Sequence, residues 1–250
     1  MNNFRERLLA GSALIGTWVK TPSPIVAEVL AQTALDVLAF DAEHAPFGRA
    51  ELDSCLALTR AGHMPSLVRV ARGDGADILN ALDCGADGVI VPHVTTAAQA
   101  EQIARACRYG RGGRGFAGSS RSAEYGAKSM ADQIETAKQS TVCIAQIEDV
   151  EAIDVIDDIA AIEGIDCLFI GRIDLTVALS ADSPNAPEVV DAVKRVCEAG
   201  QKANRRIGMF VSDPEEVSRW REMGASLFLL SSDHGFLKSG AERLAGKFRD

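Results

Sequence analysis

Four stretches of the chain repeat one order of parts: the end of a helix, a small or turn-forming residue, and then an apolar run. They are "LAQTALDVLAF", "ALDCGADGVIV", "IEGIDCLFI" and "REMGASLFLL", and a recurring unit constrains a fold more tightly than any single motif. Runs that are apolar at nearly every position suit strands buried on both faces, as in a parallel sheet. Four further runs have the same character: "ALIGTWV" (13–19), "SLVRV" (66–70), "TVCIAQIE" (141–148) and "RIGMFV" (206–211). Among these eight strand candidates lie segments with helical periodicity: "SPIVAEVLAQ", "AELDSCLALTRA", "GADILNALDCG", "AAQAEQIARACRYG", "VEAIDVIDDIAAI", "PEVVDAVKRVCEAGQKA", "DPEEVSRWREMGA" and "GFLKSGAERLAGKF". Ser23 before Pro24, and Asp213 before Pro214, read as N-caps followed by proline in the first helical turn. Eight strands alternating with eight helices predict an α/β fold of the closed (β/α)8 type, a TIM barrel; an open doubly wound sheet is the alternative. With 250 residues, 47% of them apolar, and no Pro/Ser-rich linker, residues 1–250 read as a single barrel domain.

Several function classes are disfavoured at once. "MNNFRERLLAGSALIG" has no long apolar core behind its positive charges, and no window approaches about 18 uninterrupted apolar residues. A cytoplasmic protein with no membrane partner is expected. The net charge of -9 argues against a nucleic-acid partner, because phosphate binding needs clustered Lys and Arg. An anionic substrate must then be captured by local arginines. The six cysteines, Cys55, Cys84, Cys107, Cys143, Cys167 and Cys197, form no C-x-x-C pair and have no His at zinc-finger spacing, so buried reduced thiols are expected.

In a barrel of this kind the chemistry sits at the C-terminal ends of the strands. The polar residues there are Lys20; Asp41, Glu43 and His44; Arg69 and Arg72; His93; Gln146 and Glu148; Arg172 and Asp174; Ser212 and Asp213; and Ser231, Asp233 and His234. Gln146 and Glu148 are two apart and so leave their strand on one side. Glu148 and Asp174, read as ending neighbouring strands, offer two carboxylates to one hard divalent cation, with Mg2+ or Mn2+ preferred over Zn2+ for want of a His/Cys cluster. A strand-end acid also caps the next helix or pairs with Arg, which is the plainer reading for Asp213 and Asp233. His93, after Pro92, reads equally as a wall residue or a site group.

The segments "FDAEHAP", "LVRV", "GADGVIVPHV", "AQIE" and "FIGRIDLT" stand in the order and spacing of the metal-dependent pyruvate aldolases of the 4-hydroxy-2-oxoheptanedioate aldolase (HpcH/HpaI) family. The chain resembles that family from "GTWVK" to its last helix. "D-x-E-H-x-P" followed by "Q-I-E" and "F-I-G-x-x-D-L" is a specific combination. The resemblance implies a barrel of the phosphoenolpyruvate/pyruvate type. It also implies reversible cleavage of a 4-hydroxy-2-oxo acid to pyruvate and an aldehyde, through a pyruvate enolate stabilised by Mg2+, Mn2+ or Co2+. It gives His44 the role of general base, Asp83 that of the acid raising that histidine's basicity, and Arg69 that of stabilising the enolate and oxyanion. Glu148 and Asp174 match the metal ligands; Gln146, with the backbone around Ile173, matches the pyruvate contacts. Family members are often hexamers with an exchanged last helix, so a homo-oligomer is expected. The chemistry is coherent: a divalent cation acts as a Lewis acid, arginine holds its charge near neutral pH, and histidine suits proton transfer there.

Two points resist the transfer. Asp83 lies at a predicted helix C-terminus, the end that points away from the site in a simple barrel, and an acid is unfavourable there unless it has a partner. Arg172 and Ile173 stand where the family usually has proline and a small residue. Arg172 is expected either to bind a second carboxylate on the acceptor aldehyde or to salt-bridge away from the site. The glycine-rich stretch 109–126, with Arg111, Arg114 and Arg121, is expected to be a mobile cover or a subunit contact, and a phosphate cradle is the lesser alternative. Alternative functions are a Schiff-base aldolase using Lys20, a coenzyme A thioester lyase on the same scaffold, and a catalytically silent barrel.

Overall fold

The structure, a computed structural model, describes residues 3–248. Eight parallel strands close in sequence order: β1 (Leu14–Val19), β2 (Val37–Asp41), β3 (Ser66–Arg69), β4 (Gly88–Val91), β5 (Val142–Ile147), β6 (Cys167–Ile170), β7 (Arg206–Val211) and β8 (Ala225–Ser232). β8 pairs with β1 to complete the ring, so the (β/α)8 barrel holds and the open sheet does not.

Alternation along each strand produces two cores. Leu14, Trp18, Val37, Ala39, Leu67, Ile90, Val142, Ile144, Cys167, Phe169, Leu227 and Leu229 face inward and fill the barrel. Their neighbours, among them Leu38, Phe40, Val68, Val89, Cys143, Leu168 and Phe228, face outward against the helices. Both faces exclude water, which is why the strands are apolar at every position and not at alternate ones. All six cysteines are buried and unpaired.

The N-terminal face is closed by a helix, Phe4–Leu9, whose Phe4 and Leu8 join the inner core. Asn3 caps it by accepting from the Glu6 backbone N–H. Arg5 anchors it to the buried Asp166 at 2.8 Å.

Most predicted helices form, with three differences. "VEAIDVIDDIAAI" divides at Val155 into Val150–Asp154 and Ile156–Ala161. After Asp213 and Pro214 the chain makes a turn, and the helix begins only at Glu216 (Glu216–Glu222); Asp213 still accepts the Glu215 N–H at 2.9 Å. Arg172 and Asp174, read as strand-end residues, lie in a helix of their own, Arg172–Ala178.

Stretch 109–126 does not cover the site. It follows the C-terminal end of helix Ala97–Ala106 and therefore lies at the opposite face. Arg114 ties it down, buried against Asp83 and 4.8 Å from the Tyr109 ring centroid, and Arg121 pairs with Asp53.

Candidate active site

The inward register of the strands continues past the apolar layers and delivers the functional groups. On β2 the inner positions are Val37, Ala39 and then Asp41; on β3 they are Leu67 and then Arg69. Asp41 and Arg69 are register partners on adjacent strands. Their side chains meet in a two-pronged pair, Arg69 Nε to Asp41 Oδ1 at 3.0 Å and Nη2 to Oδ2 at 2.8 Å. Lys20 Nζ lies 3.3 Å from the same carboxylate, and the His44 backbone N–H donates to it at 3.1 Å. Burial acts to raise the Asp41 pKa, but the hydrogen bond and charge of Arg69 outweigh it and hold the carboxyl below its ordinary value. The Arg69 guanidinium stacks 4.4 Å from the Trp18 ring centroid.

Glu43 bridges the next layer of side chains. Its Oε2 lies 3.3 Å from Arg69 Nε and 3.7 Å from His44 Nε2, and its Oε1 lies 3.6 Å from His93 Nε2. The acid beside the His44 ring is thus Glu43. Asp83, expected to serve His44, instead pairs with Arg114 at the C-terminal end of its helix, Gly75–Asp83. Fold geometry is the reason, because a barrel helix ends at the face opposite the strand tips. Asp233, at the strand-tip face where the last helix begins, is occupied by backbone: it accepts the N–H groups of Lys20 and Thr21, each at 2.9 Å.

The second half of the site forms where β5 and β6 end. Gln146 and Glu148 point inward together, and the Gln146 amide donates to Glu148 Oε2. Asp174 does not end β6: Gly171 turns the chain at once into helix Arg172–Ala178, and Asp174 comes back over the turn from its first helical turn. A Cβ placed on Gly171 would stand 2.7 Å from Glu148 Cβ, 2.9 Å from its Oε2 and 3.2 Å from Asp174 Oδ2. The missing side chain leaves room between the two carboxylates. Burial pushes the Glu148 carboxyl above its ordinary value, and Asp174 pushes it the same way, against hydrogen bonds from the His93 backbone and Gln146. Gln146 Oε1 is buried and has no hydrogen-bond partner. Two converging carboxylates and an unpaired amide oxygen form an all-oxygen donor set, which fits a hard divalent cation.

His93, Glu148 and Asp149 also converge, with one ligand atom from each within 4.8 Å of the others. His93 is mostly exposed, and its Nδ1 is already held by Asp149 Oδ2 at 3.0 Å. Its backbone N–H binds Glu148 Oε1, so Oε2 is the oxygen turned towards Asp174. The Glu148–Asp174 pair is therefore the better metal candidate.

Trp18, Lys20, His44, Arg69, Gln146 and Asp174 line one cavity of about 330 Å3, together with Arg172, Ile173 and Glu216. Arg172 faces no open carboxylate subsite; Glu216 takes both ends of its guanidinium, at 3.0 and 3.3 Å. Of the acids Glu43 and Glu216, only Glu43 is marked out locally. Glu43 lies within the tip motif, whereas Glu216 sits in an ordinary charged helix start, 44 residues beyond its partner.

A model of the HpcH/HpaI aldolase/citrate lyase family matches residues 14–239. A hydroxypyruvate/pyruvate aldolase from Pseudomonas aeruginosa is 34% identical over 251 residues, covering 100% of this chain and 93% of that protein. A 4-hydroxy-2-oxo-heptane-1,7-dioate aldolase from Klebsiella pneumoniae is 31% identical, covering 99% and 94%. The crystal structure of a family protein from Burkholderia cenocepacia superimposes with a TM-score of 0.93 at 32% identity, covering 100% of both chains. The chain therefore belongs to the HpcH/HpaI aldolase/citrate lyase family of enzymes.

Proposed function

We propose that this enzyme is a divalent-metal-dependent aldolase that reversibly cleaves a 4-hydroxy-2-oxo acid to pyruvate and an aldehyde. The observation that carries this reading is the pair of carboxylates, Glu148 and Asp174, converging beside Gly171, where Gly171 and Asp174 line a cavity together with Arg69. The aldolase activities of the relatives support it.

Glu148 and Asp174 would hold Mg2+ or Mn2+, with Co2+ as a further option. When bound there, the cation supplies Lewis-acid polarisation of a 2-oxo acid. Gln146 and the backbone at Ile173 orient the acid beside it. Arg69, fixed by Asp41, presents a permanent positive charge to the oxygen on which negative charge develops. His44 opens on the same cavity and takes the proton from the 4-hydroxyl as the C3–C4 bond breaks. The aldehyde departs, and C3 of the remaining enolate accepts a proton to give pyruvate. Lys20 is engaged with Asp41, and forming a Schiff base would break that contact.

The test is proton exchange at the pyruvate methyl group in heavy water, followed by NMR without any aldehyde. Exchange should require added Mg2+ or Mn2+, stop with chelator, and fall at least about 100-fold in Glu148→Ala. Exchange that survives chelator would overturn the proposal in favour of Lys20.

A further inference from the structure

Arg172 opens helix Arg172–Ala178 with only 6% of its surface exposed. A cation at a helix N-terminus opposes the helix dipole and needs a compensating partner. Glu216 provides it, with Nη1 donating to Oε2 at 3.0 Å and Nη2 to Oε1 at 3.3 Å. The guanidinium also lies 4.5 Å from the ring centroid of the buried Trp220. Its Nε is buried with no partner and is not offered to the cavity. The arginine is thus held by a carboxylate and by an aromatic face. What it shows the cavity is a neutral pair, and the more exposed member, at 21%, is the carboxylate of Glu216.

Gln146, Arg69, Gly171 and Asp174 account for the 2-oxo acid end of the cavity. Of the other lining residues, Lys20 is engaged by Asp41 and His44 serves the reacting hydroxyl, which leaves the wall of Ser212, Glu216, Ser231 and Ser232, beside Phe210 and Pro184, for the far end of the aldehyde. We propose that this wall selects an uncharged hydroxyaldehyde over a carboxylated one, and that Glu216, by occupying Arg172, is the specificity-determining residue. This inference rests on the aldolase reading. A hydroxyl can donate to the Glu216 carboxylate and exchange hydrogen bonds with the serines. A carboxylate there meets Glu216 as a like charge and finds no free guanidinium donor. Removing the Glu216 charge reverses this, because a buried arginine without its partner recruits another anion.

The experiment compares kcat/KM for addition of pyruvate to glyceraldehyde and to tartronate semialdehyde, in the presence of Mn2+. These acceptors share one carbon skeleton and differ only in a terminal hydroxymethyl or carboxylate. The wild-type enzyme should prefer glyceraldehyde. Glu216→Gln should raise the relative kcat/KM for tartronate semialdehyde about tenfold, mainly through KM, the size of one charge-assisted hydrogen bond. Arg172→Met, which leaves Glu216 unpaired, should move the ratio the other way. A purely structural pair would lower both substrates alike, and an unchanged ratio in both variants overturns the inference. So does a wild-type preference for the carboxylated aldehyde. If Glu216→Gln does not fold, the wild-type preference and Arg172→Met decide. Absence of metal-dependent pyruvate exchange in the wild type would instead defeat the aldolase reading itself, which keeps the two failures distinct.

Discussion

Asp41 explains why three ionisable residues stand at the tip of β2. It is fully buried, yet it binds Arg69 through both oxygens, takes Lys20 as a second cation and accepts the His44 N–H. It is a positioning residue, acting through Arg69. Asp41→Asn leaves two cations without their shared anion. We expect a loss of roughly 3–5 kcal/mol in folding stability by denaturant titration, with kcat lowered more than KM is raised. The pH dependence follows from the lowered pKa. A carboxyl depressed in the folded state contributes stability above its unfolded value of about 3.9 and loses it as the pH falls through the lower folded value. Wild-type stability should therefore drop as the pH falls below about 4. Asp41→Asn should show a shallower acid slope, and equal slopes would disprove the linkage. The motif residues were legible in the sequence because each stands where an apolar run stops. The bond from Asp41 to Arg69 was not legible, since it spans 28 residues and depends on the β2–β3 register.

Among the elements, the β6-to-helix turn decides the second half of the site. The φ of Gly171 is ordinary at -83°, so its glycine is explained by space and not by backbone strain. Gly171→Ala would drive a methyl group between Glu148 and Asp174. Mn2+ affinity, read by electron paramagnetic resonance, should weaken at least about tenfold while the barrel still folds. Unchanged affinity would mean that the ion is held elsewhere, with His93 and Asp149 the next set to test. The apolar run of β6 was readable as a strand, but its extension through Asp174 was not correct. Residues 172–178 are too few to show helical periodicity against a preceding strand, and the helix is stabilised by Leu175 packed in the core and by the Arg172–Glu216 pair. The Phe4–Leu9 helix escaped for the same reason: six residues carry only two apolar contacts, and those contacts exist only once the barrel provides an inner surface.

At the scale of the whole molecule, the last helix, Asp233–Lys247, leaves Leu237 and Leu244 exposed at 66% and 59%, with Phe248 beyond it at 92%. Spaced seven and four residues apart, they lie along one stripe of apolar surface. Among the described residues no helix is long and apolar enough to cross a membrane. We propose that the stripe is covered by a further copy of the chain. Sedimentation velocity should show an assembly, a hexamer by family resemblance, and Leu237→Asp with Leu244→Asp should shift it to smaller species. A wild-type monomer at all concentrations would refute this. The eight strands, their alternation with helices and most of the strand-tip residues were determined by the sequence alone, because periodicity and the points where apolar runs stop are local properties; closure of the ring was not, since it rests on the pairing of β8 with β1. Partnership was decided only by the tertiary structure. It paired Asp41 with Arg69, sent Asp83 to Arg114 and away from His44, and turned Arg172 onto Glu216. Those choices depend on register, on which face a helix end reaches and on which charges burial forces together, and none of these is written in the neighbouring residues.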